Sequence, residues 1–143
     1  MDRELQHVVF QLGKECYGLD IMNIQEIILV PETIEMPDSQ YYIIGVANIR
    51  GEIIPVIDLK RRFSLTDSGD TPENERRVIV LRLGDEKVGL LVDRVDEVYK
   101  FNESEIRQSG AATTESQKEF IIGIVDTGER LMILLDIDQA LMH

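Results

Sequence analysis

The sequence lacks several residue types that would indicate common kinds of chemistry. It has no Trp and only four Phe and four Tyr, so it offers no aromatic platform on which nucleic-acid bases could stack. Cys16 is the single cysteine, which excludes an internal disulfide and gives no sign of an oxidising compartment. We see no secretory leader and no apolar run near the ~18 residues that a membrane helix needs. These absences predict a cytoplasmic protein without membrane insertion.

Positive charge is also scarce. The chain has 15 basic and 27 acidic residues and a net charge of −12, which opposes binding to nucleic acids and to anionic membranes. Its 143 residues, of which 43% are hydrophobic, suffice for one or two small domains with a buried core. We therefore expect a soluble protein whose partners are other proteins.

The chain contains an internal duplication. Residues 8–27 align with residues 79–98 at a shift of 71, and residues 43–59 align with residues 121–137 at a shift of 78. The second copy is longer by the difference of 78 − 71 = 7 residues, all in the loop between its two blocks. Identical pairs are Val9/Val80, Leu12/Leu83, Gly13/Gly84, Glu15/Glu86, Gly18/Gly89, Leu19/Leu90, Glu26/Glu97, Ile43/Ile121, Ile44/Ile122, Gly45/Gly123 and Asp58/Asp136.

Each copy contains five short runs rich in Val, Ile and Leu, which predict β-strands. The runs are residues 8–12, 17–21, 26–30, 45–49 and 53–59, then 78–83, 88–92, 97–101, 123–126 and 131–137. Several runs are apolar on both faces, so we predict an all-β fold of two five-stranded SH3-like barrels packed around a shared core, with short helices. One domain is expected over residues 1–143, with subdomains at about 13–66 and 76–143, the second with or without the N-terminal strand 7–12.

Local signals predict a few features between the strands. Ile21, Ile24, Ile27 and Ile28 have helical spacing behind Asp20 as an N-cap. The equivalent residues 93–98 are more polar and predict a turn, and a short helix is expected after Asp136 or Asp138. Polar loops are expected at residues 64–75 and 109–118.

Residues 43–59, IIGVANIRGEIIPVIDL, predict a β-hairpin with Arg50-Gly51 at its tip. Pro55 inside the second strand predicts an edge strand or a bulge. A lone Arg at a hairpin tip is also commonly just solvated, and that alternative stays open here. In the second copy, Asn48, Arg50 and Pro55 are replaced by Asp126, Gly128 and Ile133.

Signatures of catalysis and of metal binding are scarce. His7 and His143 lie near the termini without a Ser, Cys or Asp partner at a recognisable spacing. We find no GxGxxG, GxxxxGK[ST] or HExxH motif. The carboxylate pairs Asp93/Asp96 and Asp136/Asp138 are interpreted as a solvated face, and Asp58 and Asp136 as caps of the turns after the last strands. We predict no catalytic residue, no cofactor and no metal site.

The segments YGLDIMNIQEI, GVANIRGEIIPVIDL, VGLLVDRVDEV and GERLMILLDID resemble the CheW-type adaptors of bacterial chemotaxis. The motif G-V-x-N-[LI]-R-G-x-I-[IV]-P-[VI]-x-[DN]-L is satisfied by residues 45–59 throughout. The same fold occurs in the regulatory domain of CheA kinases and in CheV-type proteins. A stand-alone adaptor is expected here, because the chain contains no ATP-binding, phosphotransfer or receiver segment.

The resemblance implies a non-enzymatic scaffold that couples the cytoplasmic helical hairpin of methyl-accepting chemoreceptors to the regulatory domain of a CheA-type kinase. It implies a receptor-binding groove at Ile24, Val95 and Val98, and places binding and kinase control at Glu26, Asn48 and Arg50. The protein is expected to be a monomer alone and to join arrays with its partners. Two alternatives remain, which are an adaptor of a non-flagellar kinase array, such as one for surface motility, and a small-ligand sensor built on β-barrels.

Overall fold

The structure is a computed structural model that describes residues 2–65, 71–108 and 120–142. These residues form ten strands, and each predicted run overlaps one of them. The strands are β1 Glu4–Leu12, β2 Glu15–Asp20, β3 Ile24–Leu29, β4 Ile43–Ile49, β5 Glu52–Asp58, β6 Arg77–Leu83, β7 Glu86–Val92, β8 Arg94–Asn102, β9 Ile121–Asp126 and β10 Leu131–Leu135. Two short helices, α1 Leu59–Arg62 and α2 Ile137–Met142, each follow the last strand of a copy.

The ten strands form two five-stranded sheets with the same internal order. One sheet has the order β8-β1-β2-β10-β9 and the other has the order β3-β6-β7-β5-β4. Exchanging each strand for its counterpart in the other copy converts one order into the other. The predicted fold class, all-β with two five-stranded sheets and few short helices, is confirmed.

Each sheet combines strands from both copies. The chain divides into a first unit, with the described residues of 1–11, 15–21 and 96–143, and a second unit, with residues 12–14 and 22–95. These units differ from the predicted subdomains 13–66 and 76–143, because the first two strands of each copy pair with the other copy. The reason is the parallel pairing of β2 with β10 and of β5 with β7, which a tight hairpin between neighbours cannot provide.

Each sheet is closed by a short bridge on the outer edge of a terminal strand. In the second unit, Ile34 and Val46 exchange backbone hydrogen bonds of 2.8 and 2.9 Å. In the first unit, Arg107 and Ile124 exchange two of 2.8 Å. Val46 and Ile124 are equivalent in the two copies, so both sheets protect the same edge in the same way.

The closing bridges explain the shared glycines Gly45 and Gly123. A Cβ at Gly45 would lie 2.4 Å from the carbonyl oxygen of Ile34, and one at Gly123 would lie 2.7 Å from that of Arg107. Gly45 also has a φ of +153°. A side chain at either position would therefore push the closing segment away from its strand.

Each unit has its own apolar core. In the second unit, the buried residues of one cluster are Ala47, Ile49, Ile54, Val56, Val78, Val80 and Leu91. In the first unit, they are Val9, Cys16, Phe101, Val125, Met132 and Leu134. Both clusters draw on both sequence copies, so the strand exchange is what completes each core.

Pro55 was expected to mark either an edge strand or a bulge, and the edge-strand prediction is wrong. β5 pairs with β4 on one side and with β7 on the other. Pro55 is tolerated there because the parallel ladder to β7 begins at the next residue, Val56. A register shift does occur in this hairpin, but it lies on β4 between Ile43 and Gly45.

The helical spacing behind Asp20 yields only a 3-10 turn at Ile21–Asn23. The residues from Ile24 onward form β3, because pairing with β6 satisfies their backbone groups. The turn predicted at residues 93–98 is likewise replaced by β8, which begins at Arg94. Long-range pairing overrides the local periodicity in both copies.

The two predicted carboxylate caps are confirmed. Asp58 is the N-cap of α1, and its side chain accepts hydrogen bonds from the backbone N–H groups of Lys60 and Arg61. The equivalent Asp136 accepts one from the N–H of Gln139 in α2 at 3.3 Å. Residues 66–70 of the first predicted polar loop and all of the second, 109–118, lie outside the described residues. The described part of the first loop includes a 3-10 turn at Glu73–Glu75.

Candidate functional site

The tip of the β4–β5 hairpin is a two-residue turn at Arg50 and Gly51. Ile49 pairs with Glu52 at its base, and the φ angles of Arg50 and Gly51 are +53° and +88°. Two positive φ values in succession characterise a type I′ turn, whose twist matches that of the flanking strands. The side chain of Asn48 closes the turn by accepting a hydrogen bond of 2.9 Å from the N–H of Gly51.

The structure brings two of the predicted site residues into direct contact. Nε of Arg50 donates to both carboxylate oxygens of Glu26, at 2.8 and 3.1 Å. Glu26 lies on β3, the strand at the opposite edge of the sheet from β4. A flat sheet would separate those edges by four strand spacings, ~19 Å, so this ion pair lies where the curled sheet closes on itself.

A β-bulge on β3 sets the position of Glu26. Ile24 pairs with Leu81 and Glu26 pairs with Val80, so Gln25 is the extra residue between them. The side chain of Arg50 is 77% exposed and that of Glu26 is 23% exposed. Within the described residues, no group accepts a hydrogen bond from the Nη atoms of Arg50. The cation at the tip therefore has donors available for a partner.

A shallow depression of about 200 Å³ lies beside this ion pair. Its floor contains the buried side chains of Ile49, Ile54 and Val80. Its rim includes a second ion pair, in which Nζ of Lys87 lies 2.6 Å from a carboxylate oxygen of Glu52. An apolar floor with a polar rim is suited to protein contact.

The three predicted groove residues lie on two strands. Ile24 begins β3 and is half-buried, and Val95 is half-buried near the start of β8. Val98, farther along β8, is 48% exposed. Ile24 and Val95 belong to the second unit and Val98 to the first. Their joint role as a groove stays a prediction.

Two acids that were interpreted as solvated are instead buried or partly buried and paired, so that interpretation is wrong for Asp93 and Asp96. Asp93 accepts a 2.7 Å hydrogen bond from the N–H of Gly13 and lies 3.2 Å from Nζ of Lys60. Asp96 accepts one of 2.6 Å from Arg130. Burial of a carboxylate demands such partners, and the partners are distant in the chain.

The Asp96–Arg130 pair is a counterpart of Glu26–Arg50 in the first unit. Asp96 lies on the edge strand β8, and Arg130 follows the turn between β9 and β10. The side chains of this pair are more buried than those of the pair at the β4–β5 tip. Sequence alignment missed it because Arg130 aligns with Glu52 and Asp96 aligns with Gln25, so neither partner has its counterpart in the Glu26–Arg50 pair, although the two turns are equally long. A search for opposite charges near both turns would have found it.

The groups that could have suggested catalysis are buried. His7 packs against Phe101 with 5.0 Å between the ring centroids, and burial lowers its pKa. Burial raises the pKa of the Cys16 thiol, which disfavours the reactive thiolate. His143 lies outside the described residues. In the described ranges, no three His, Cys, Asp or Glu side chains are grouped so that they could hold a metal ion.

A search of the described helices finds none that is both long and apolar enough to cross a membrane.

Comparison with known proteins gives consistent results. A family model described as "CheW-like domain" matches residues 6–143. Chemotaxis protein CheW of Treponema pallidum is 36% identical over 140 residues, which cover 95% of this chain and 81% of that protein. Chemotaxis protein CheW of Klebsiella aerogenes is 35% identical over 136 residues, with the same two coverages of 95% and 81%. The crystal structure of scaffolding protein TtCheW from Thermoanaerobacter tengcongensis matches with a TM-score of 0.83 and 34% identity, covering 94% of this chain and 90% of that one.

Proposed function

The chain belongs to the CheW-like domain family, and from that premise we propose that it is a chemotaxis adaptor that couples chemoreceptors to a CheA-type histidine kinase. Its chemistry is non-covalent binding. A scaffold regulates a kinase only if it binds the active and inactive arrangements with different affinity. In an array, several modest contacts also raise one another's effective concentration.

The arrangement of Arg50 at the hairpin tip is the main structural support for this proposal. Arg50 is held in a defined turn by Asn48, has one nitrogen engaged by Glu26, and presents the rest of its guanidinium to solvent. An Arg in that state forms bidentate contacts with a carboxylate of a partner protein. In this proposal Glu26, Asn48 and Arg50 serve assembly with the regulatory domain of the kinase.

Ile24, Val95 and Val98 serve the receptor in this proposal. The cytoplasmic hairpin of a chemoreceptor presents an apolar stripe at i, i+3 and i+4, and partly exposed aliphatic side chains accept such a stripe. The protein would accordingly act in the cytoplasm, at receptor arrays. The net charge of −12 supports protein partners over nucleic acid or anionic lipid.

One experiment with two variants tests both surfaces, each variant serving as the matched control of the other. Ile24→Asp places a charge in the apolar receptor contact, and we expect receptor pull-down to fall about 100-fold with little change in kinase-domain binding. Arg50→Glu places a second carboxylate beside Glu26. We expect kinase-domain binding and kinase stimulation to fall about tenfold, with receptor binding retained.

Circular dichroism and urea unfolding establish that both variants keep the fold. Receptor binding that survives Ile24→Asp would show that the groove assignment is wrong. Normal kinase stimulation by Arg50→Glu would show that Arg50 is only a solvated turn residue and takes no part in the kinase contact.

A further inference from the structure

The ion pair between Lys87 and Glu52 lies beside Glu26 and Arg50, the residues of the proposed kinase contact. Glu52 is the first residue after the turn, and Lys87 lies near the start of β7. Nζ of Lys87 lies 2.6 Å from the Glu52 carboxylate, and its side chain is only 21% exposed. Lys87 thus lies along the apolar floor of the depression and reaches the tip with its charged end.

The tip needs restraint to keep its shape. Arg50 adopts a left-handed φ of +53°, which is unfavourable for a residue with a Cβ. Asn48 restrains the turn from within, and Glu26 restrains the side chain of Arg50 from β3. The Glu52–Lys87 pair is the third restraint, and it ties the base of the turn to β7.

We infer that Lys87 and Glu52 are positioning residues, which hold the hairpin tip so that Arg50 stays on Glu26 and offers its remaining donors in a fixed direction. The part of this inference that concerns assembly rests on the proposed function of Arg50. The restraint of the tip itself is inferred only from the contacts Asn48–Gly51, Glu26–Arg50 and Glu52–Lys87. Positioning by a pair at the base of the same turn reduces the conformational freedom that Arg50 would lose on binding.

The test measures the tip directly and binding separately. The Nε–H of Arg50 gives its own NMR signal, whose exchange with water slows while Glu26 accepts its hydrogen bond. We expect Lys87→Met and Glu52→Gln each to accelerate that exchange, and to weaken binding of the cognate kinase regulatory domain about threefold to fivefold. The double variant should be no worse than either single one. Lys87→Arg and the swapped pair Glu52→Lys/Lys87→Glu should restore both readouts.

Lys14→Met is the matched control, since Lys14 is an exposed lysine in the turn between β1 and β2. It should leave both readouts unchanged. Unchanged Arg50 exchange in Lys87→Met, or failure of the swapped pair to restore it, overturns the inference. Accelerated exchange in Lys87→Met together with normal kinase binding by Arg50→Glu supports the positioning contact and overturns the proposed function of Arg50 instead.

Discussion

Glu26 and Arg50 are 24 positions apart in the chain, and their ion pair closes the second sheet where β3 meets the hairpin tip. In the first unit, Asp96 and Arg130 form an ion pair between the edge strand β8 and the β9–β10 turn, and their side chains are less exposed. An exposed pair of this kind contributes ~0–1 kcal/mol to stability, so the value of Glu26–Arg50 lies mainly in where it holds the guanidinium. The partly buried Asp96–Arg130 pair leaves less surface for a partner.

At the same scale, His7 predicts a pH dependence of stability. His7 is 3% exposed, and among the described residues its Nδ1 has no hydrogen-bond partner. Burial lowers the pKa of His7 from 6.5, while Asp20 and the backbone of Gly18 oppose that shift. In the unfolded chain His7 is therefore protonated below about pH 6.5, whereas in the folded protein it is protonated only at lower pH. Stability contributed by neutral His7 is present above that pH and is lost as the pH falls.

We expect the free energy of unfolding to fall by up to ~1.4 kcal/mol per pH unit below pH 6.5 because of His7. Urea unfolding of the parent protein and of His7→Gln, measured between pH 5 and 8, gives the comparison. His143→Gln is the control and should keep the parental slope. An equal slope in the parent and in His7→Gln would show that His7 does not set this dependence.

At the scale of the strand, the closing bridges at Ile34–Val46 and Arg107–Ile124 make each sheet a barrel. They require the backbone of another segment to pass where a side chain at Gly45 or Gly123 would stand. The identity of these two glycines across the copies thus has a steric cause. Each bridge also pairs part of the strand edge that an open sheet would expose.

This closure predicts a graded series of alanine variants. Gly45→Ala combines a φ of +153° with a Cβ 2.4 Å from a carbonyl oxygen, so we expect the largest loss, ~3–4 kcal/mol. Gly123→Ala has only the close contact, and ~2 kcal/mol is expected. Gly128→Ala has a φ of +93° in open space and should cost ~1 kcal/mol. Urea unfolding measures all three, and a loss for Gly128→Ala as large as that for Gly45→Ala would contradict the bridge as the cause.

At the scale of the molecule, one unit is built from consecutive strands, and the other combines strands from the two ends of the chain. β3 to β7 are consecutive and form one complete sheet. The other sheet needs β1 and β2 from the start of the chain between β8 and β10 from its end. Closing the long loop between those segments carries an entropic cost that the second unit avoids.

We therefore expect a fragment of residues 22–95 to fold alone, with cooperative urea unfolding and dispersed NMR signals. It lacks Gly13, which donates to Asp93, but Lys60 remains to pair that carboxylate. The matched fragment of residues 96–143 should stay unfolded, because β8 and β10 have lost the strands that lie between them. Folding of the second fragment but not of the first would contradict this order.

The amino-acid sequence is enough to predict the ten strands, the hairpin tip and the carboxylate caps. These features follow from interactions within about a dozen residues, such as apolar alternation, turn residues and helix capping. The resemblance carried by residues 17–27 and 45–59 also implied that Glu26, Asn48 and Arg50 are site residues, although their geometry was unknown.

The three-dimensional fold is needed to see which strands share a sheet, why Pro55 is tolerated inside one, and which acids are buried. Those outcomes depend on parallel pairs such as β2–β10, whose partners are more than 100 positions apart, as Cys16 and Met132 show. Pairing at that separation leaves no local periodicity in the sequence. For the same reason the contacts of Glu26 with Arg50, and of Lys87 with Glu52, emerge only once the sheet has curled and closed.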